Sequence, residues 1–84
     1  ICNDKAEAVE FVVGNDTKNI NIKFKNVEFN QDILVATIVR NNKIIIPTGD
    51  DYLKANDRVI IITKNMKLLS IDDIFSGGGR YYEL

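Results

Sequence analysis

Two short stretches constrain this chain more than anything else in it. Residues 33–39 read ILVATIV and residues 59–62 read VIII, apolar or β-branched at almost every position. A strand with one wet face alternates apolar and polar residues, because successive side chains point to opposite sides of a sheet. These two do not alternate, so both of their faces require cover. A chain of 84 residues has little with which to provide it. A domain of this length buries only about 60–65% of its unfolded surface. One C-terminal helix would cover one face. A second copy of the same domain is the simplest cover for the other, since identical patches close about a two-fold axis. The connecting loops and a short middle turn are the alternative. We therefore expect a homodimer with one face of the 33–46 hairpin in its interface.

The rest of the chain supplies the remaining elements. Residues 7–13 (EAVEFVV) place Val9, Phe11 and Val13 on one face at period two, and Gly14-Asn15-Asp16 closes that strand with a turn. The stretch NINIKFKNVEF admits two readings: Ile20, Ile22 and Phe24 alternate as a strand, whereas Phe24, Val27 and Phe29 suit a helical turn. We expect a strand for its first part and a helical turn for its second. Residues 33–39 and 44–46 form a hairpin about Asn41-Asn42, since Asn tolerates positive φ. Pro47 lacks an N–H and ends the second strand. Thr48-Gly49-Asp50-Asp51 and Asn56-Asp57 are turns, and residues 58–63 (RVIIIT) are a further strand. Residues 65–75 place Leu68, Ile71 and Phe75 at helical spacings, capped by Asn65 or, for a shorter helix, by Ser70 with Asp73 three residues on. The expected architecture is α+β. It has a small mixed or antiparallel sheet of about four strands, the central hairpin 33–46, one middle helical turn and one C-terminal helix. The domain is expected to occupy 1–75. Residues 76–84 hold Gly77-Gly78-Gly79, too costly in backbone entropy for an ordered element, and are expected to be a flexible tail.

Composition narrows the function classes. Eleven basic residues stand against twelve acidic ones, and none of the basic ones cluster, so neutralisation of a nucleic-acid backbone is not expected. No histidine is present, which removes the commonest general base and metal ligand. Cys2 is the single cysteine and cannot form an internal disulfide, which fits a reducing compartment, and near a terminus it is not expected to be an activated nucleophile. Asp50-Asp51 reads as a turn whose carboxylates bind backbone N–H groups, and Asp72-Asp73 as acids at a helix start; neither reads as a catalytic or metal pair. Gly77–Gly79 lacks the Lys-Ser/Thr of a phosphate loop, and Tyr81-Tyr82 alone are weak signals for base stacking. We expect no hydrolase, transferase or redox activity. No run approaches the roughly 18–20 apolar residues of a membrane span. The start ICNDKAEAVE carries no signal peptide and no initiator Met, so the chain reads as a piece of a longer protein. Arg40 is the one charge singled out. At the mouth of the hairpin it either forks onto a carboxylate or phosphate or is solvated.

The order of these features resembles the TrkA C-terminal domain, the C-lobe of RCK or KTN regulatory units. The residues that carry the likeness are ILVATIVRNNKIIIPTGDDYLKANDRVIIITK, the preceding strand KAEAVEFVV and the closing segment ending in IF. Asn41-Asn42 and Asn56-Asp57 stand where relatives often have Asn-Gly and Gly-Asp. The resemblance implies a non-catalytic, cytoplasmic regulatory and dimerisation domain at the inner face of the cell membrane, coupled through its parent protein to a potassium channel or transporter. It implies no cofactor in this segment, since NAD or ATP would belong to a Rossmann-like domain upstream and no G-x-G-x-x-G is present here. In some relatives a small effector, cyclic di-AMP, sits at the dimer seam. The matching ligand-binding candidates are Ile38, Val39, Arg40, Asn41, Ile44, Ile45 and Pro47. The alternatives are a purely structural dimerisation domain, or the same module attached to another cation or dicarboxylate antiporter.

Overall fold

A computed structural model describes residues 5–64 and 67–76. Four strands, β1 (Ala6–Val12), β2 (Ile33–Arg40), β3 (Lys43–Ile45) and β4 (Arg58–Lys64), form one antiparallel sheet in the order β1-β4-β2-β3. Two 3-10 turns, Phe24–Asn26 and Ile71–Ile74, complete the element list. The β2–β3 hairpin turns on Asn41 (φ 55°) and Asn42 (φ 64°). Two consecutive left-handed residues match the twist of the flanking strands, and Asn reaches that region with less strain than most side chains. The middle helical turn also forms as the sequence indicates.

Register decides which side chains face inward. Ile33, Val35 and Ile38 of β2 lie opposite Thr63, Ile61 and Val59 of β4, and the pairing shifts by one residue between Val35 and Thr37. That bulge at Ala36 is decisive. Without it, unbroken alternation from Ile33 would send Thr37 and Val39 inward. With it, Ile38 enters the core at 0% exposure and Arg40 follows on the same side. The inner face is completed by Val9 and Phe11 of β1 and Ile45 of β3.

Loops cover that inner face. Leu53, Val13, Ile71, Ile74 and Phe75 are buried against it, with Phe24, Phe29, Ile20, Val27 and Leu68 packed around them. Backbone bonds lace these segments together: Asn21 N–H to the Leu53 carbonyl (2.7 Å), Phe24 N–H to Asp51 (2.9 Å) and Lys25 N–H to Gly49 (2.9 Å). Phe29 joins Phe24 edge-on and Phe75 at a tilt, with ring centroids 5.5 and 5.6 Å apart.

Two expectations fail here. Residues 20–24 are not a strand. Asn19 (φ 61°) and Asn21 (φ 63°) are both left-handed and break the extended run, so Ile22 is exposed while Ile20 and Phe24 turn inward. The C-terminal helix is likewise absent among the described residues. Residues 67–76 contain only the four-residue 3-10 turn. The Asp73 carboxylate takes the N–H groups of Leu69 and Ser70, as the sequence pairing of Ser70 with Asp73 suggested for a shorter helix. The Asn30 side chain donates to the carbonyls of Asp73 and Phe75, and Asn30 N–H bonds the Ile74 carbonyl. Isolated short helices are marginal, and here tertiary partners claim the backbone groups that a longer helix would use.

One buried group is left unmatched. Thr63 is 2% exposed, and its hydroxyl has no partner among the described residues. A buried hydroxyl without a hydrogen bond costs roughly 1–3 kcal/mol. Thr63→Val keeps the shape and removes that group. It is expected to raise stability by about 1 kcal/mol, read as a higher urea midpoint at unchanged slope. A lowered midpoint would mean that the hydroxyl is satisfied after all.

Candidate functional site

The opposite face of the sheet has no cover among the described residues. Alternation places Ala8 and Val12 of β1, Ile60 and Ile62 of β4, Leu34 and Val39 of β2 and Ile44 of β3 on that side. Leu34 is 60% exposed, Val12 64%, Ile44 71% and neighbouring Ile46 70%, so the side chains reach solvent rather than each other. On the same face Arg58 of β4, opposite both Val12 and Val39, and Glu10 of β1 form an exposed pair at 2.7 Å. An apolar patch spread across four strands with a charged pair at one end has the make-up of an interaction surface.

At the hairpin end of the sheet lies a polar knot. Arg40 closes β2 and, because of the bulge, points toward the loop side. Its Nε donates to Asp57 Oδ1 (2.9 Å) and its Nη2 to Asp57 Oδ2 (2.8 Å), a forked pair. Nη2 also donates to the Tyr52 carbonyl (2.8 Å), and the guanidinium lies 5.1 Å from the Tyr52 ring centroid. Lys54 N–H donates to Asp57 Oδ2 (2.8 Å). The Asp57 side chain is 1% exposed, that of Arg40 21%. Its hydrogen bonds to Asp57 hold the Arg40 guanidinium above its ordinary pKa, against a smaller opposing effect of desolvation. Asn56 (φ 78°) makes the turn that delivers Asp57 to this point. A recess of about 280 Å³ opens beside the knot, lined by Arg40, Asn41, Lys54, Ala55, Asn56 and Asp57.

The seven residues singled out in the sequence therefore divide among four places. Ile38 is in the core and Ile45 packs against it. Val39 and Ile44 pair on the open face. Arg40 and Asn41 line the polar recess. Pro47 lines a separate apolar groove with Phe24, Phe29 and Ile33. Only Val39 with Ile44, and Arg40 with Asn41, stay together, and all four lie at the hairpin end. Sequence reading missed Asp57 and Lys54. The available signal was an acid in a turn immediately before an apolar strand, seventeen residues after Arg40.

The acidic pairs have structural partners. Asp51 accepts from Thr48 N–H (2.6 Å) and Asp50 bridges Lys25 (2.9 Å). Asp72 accepts from Lys18 N–H (2.9 Å). Among the described residues no group of three His, Cys, Asp or Glu side chains is placed to hold a metal ion, and no helix is long and apolar enough to cross a membrane. Cys2, Tyr81 and Tyr82 lie outside the described residues, as do Gly77–Gly79.

Comparison with known proteins gives a consistent set of matches. The model of the TrkA-C domain matches residues 8–76. The chain is 32% identical over 77 residues to Trk system potassium uptake protein TrkA homolog 2 of Methanosarcina mazei, covering 92% of this chain and 17% of that protein. It is 34% identical over 71 residues to a TrkA homolog of Archaeoglobus fulgidus, covering 84% of this chain and 16% of the relative. Thus the chain spans less than a fifth of these relatives. A solved chain described as "Structure of RCK domain with cda" superposes with a TM-score of 0.59 at 37% identity, covering 71% of this chain and 81% of that one.

Proposed function

Given that the chain belongs to the TrkA-C domain family, we propose that it is a non-catalytic regulatory module of a potassium uptake system. In this reading it acts by pairing with a second copy of itself on the cytoplasmic side of the membrane and by responding there to a small anionic effector. The observation that carries the proposal is the open apolar face. Among the described residues, the loops that cover the sheet pack on the other side, so Leu34, Val39, Ile44 and Ile62 are left for a partner. A self-complementary partner is the simplest one, because an antiparallel sheet face meets its own copy about a two-fold axis. The similarity to potassium uptake proteins supplies the transport context.

The effector reading takes the hairpin end as its site. The recess presents Arg40, Asn41 and Lys54 on the loop side of the sheet, while Val39 and Ile44 lie on the opposite, open face at the same end. Nη1 of Arg40 is left over from the bonds to Asp57 and Tyr52. The RCK domain solved with "cda" supports a ligand of some kind in such a module, and we take cyclic di-AMP as the first molecule to try. The buried Asp57 carboxylate already offsets Arg40, which favours a ligand held by several weak donors, Lys54 and Asn41 among them, over one gripped by Arg40 alone. Sedimentation equilibrium at micromolar concentration is expected to show a dimer. Calorimetric titration with cyclic di-AMP, beside AMP and ATP, is expected to give heat that Lys54→Ala reduces. A clean monomer overturns the pairing. A dimer that gives no heat with any nucleotide leaves a purely structural dimerisation domain.

A further inference from the structure

One edge of β2 is fully paired and the other is half bare. β4 lies beside it from Ile33 to Val39, whereas β3 covers only Ile38 to Arg40 before the chain leaves the sheet after Ile45. Among the described residues, no strand flanks that second edge along residues 33–37. The hydrogen bonds show which groups lie there. Lys64 N–H donates to the Asp32 carbonyl, so the backbone of Asp32 faces β4. Alternation turns Leu34 the same way and aims the N–H and carbonyl groups of Ile33 and Val35 at the bare edge. No loop backbone among the described residues bonds to either one. An edge of this kind is a template for a further strand, and proteins normally cover or blunt it.

An apolar groove follows the same edge. Its volume is about 300 Å³, and Phe24, Phe29, Ile33, Val35 and Pro47 form its walls, with Lys25 at the rim. Such a volume is at the small end of cavities that enclose a whole drug-sized ligand, about 300–1,000 Å³. It suits side chains that enter from a strand at its border. Ile33 and Val35 point to the loop side, and residues opposite them on an added strand share that side. The rim adds a sign. Lys25 bridges Asp50 in an exposed pair at 2.9 Å, weak enough to yield to an incoming carboxylate. Leu34 and Ile46 nearby are 60% and 70% exposed, which leaves further apolar surface to bury.

We propose that this edge binds an extended segment of another protein, which adds an antiparallel strand beside residues 33–37. Its main chain pairs with Ile33 and Val35, bulky apolar residues at alternate positions fill the groove, and an acidic residue at its end meets Lys25. Main-chain bonds give such a contact its affinity, and the groove gives it selectivity. The unpaired backbone groups decide between occupants. A small apolar molecule would fill the groove and leave them bare. A second copy would have to bring its own free strand, β1, which also stands at a sheet edge. β1 on β2 is a head-to-tail contact, and contacts of that kind run on into filaments unless the rotation closes a ring. The site is independent of the pairing and of the effector proposed above.

The probe is the peptide acetyl-Glu-Val-Thr-Phe-Thr-Val-Glu-amide, titrated into the whole 84-residue chain and followed by amide NMR. Strand addition predicts shifts and slowed exchange at the Ile33 and Val35 amides, with those of Lys54 to Asp57 unmoved. Methylating the peptide's Phe nitrogen removes a donor on the β2 side and should weaken binding about tenfold. Methylating both Thr nitrogens, which face away, should change it by less than about threefold. Lys25→Glu puts a like charge beside the peptide's acidic end and should also weaken binding by about threefold or more. Its side chain is exposed, so the fold is retained. Equal effects of the two methylations overturn the proposal, since the groove would then hold side chains without pairing of backbones. An absence of shifts at Ile33 and Val35 overturns it as well. So do shifts there that arise without peptide and grow with protein concentration, which would assign the edge to a second copy.

Discussion

Arg40→Ala is expected to destabilise the folded domain by about 3–5 kcal/mol, the range for removing one partner of a buried pair. The size follows from what would remain. The Asp57 carboxylate is 1% exposed and would keep only the Lys54 N–H among its side-chain partners. An exposed ion pair such as Glu10–Arg58 sets the contrast, since pairs of that kind contribute about 0–1 kcal/mol. Arg40→Lys keeps the charge and loses the fork together with the bond to the Tyr52 carbonyl, so its loss should fall between the two. The effect should be flat around neutral pH. The folded pKa of Arg40 is raised, chiefly by its hydrogen bonds to Asp57. Its contribution is fully present below the unfolded value and disappears only as pH climbs through the raised folded value, in strong alkali. Urea unfolding of the three proteins decides it, and an Arg40→Ala loss below about 1 kcal/mol would show the pair to be solvated. This prediction also bears on function. A variant that loosens the fold cannot report cleanly on effector binding, which is why Lys54→Ala is the better probe of the recess.

The strands and the hairpin are legible from local chemistry: β-branched runs, Asn41-Asn42 at a turn that demands positive φ, and Pro47 just beyond β3. The bulge at Ala36 is not. Nothing in ILVATIV marks where alternation slips, because nearly every residue in it suits either face. Yet that slip sends Ile38 into the core and aims Arg40 at Asp57. The candidate site was therefore readable as a list of residues around the hairpin but not as a partition. Whether Arg40 forks onto a carboxylate or meets solvent depends on a loop seventeen residues away. The C-terminal segment misleads for a related reason. Leu68, Ile71 and Phe75 keep helical spacing, but Asn30 and Lys18 reach in from distant loops and take polar groups of that segment. The cover expected from a C-terminal helix comes instead from loops unremarkable in sequence, and among the described residues the other face stays open.

The largest effect on association is expected from that open face. If the proposed pairing uses this face, Leu34→Asp with Ile44→Asp should give a monomer while leaving the fold intact. Both side chains are more than half exposed in the single chain, so a charge there meets water and not the core. Across a two-fold interface each substitution counts twice. Burying the exposed part of four such side chains contributes about 4–8 kcal/mol, given roughly 1.5–3 kcal/mol for complete burial of one. Four carboxylates brought together without partners add a further penalty. The dissociation constant should therefore rise by at least about a thousandfold, equivalent to about 4 kcal/mol. Sedimentation equilibrium reads the association, and far-UV dichroism confirms that the sheet persists. Three results sharpen the inference. A monomer with an intact sheet places the seam on this face. An unchanged dimer moves the seam to another surface and removes the argument drawn from the open patch. A variant that keeps the dimer but loses nucleotide binding would assign Leu34 or Ile44 to the effector site and not to the contact between copies. In the first case, binding of cyclic di-AMP should weaken along with pairing. A ligand that favours the paired state stabilises it by mass action, and the same linkage makes a forced monomer a poorer binder.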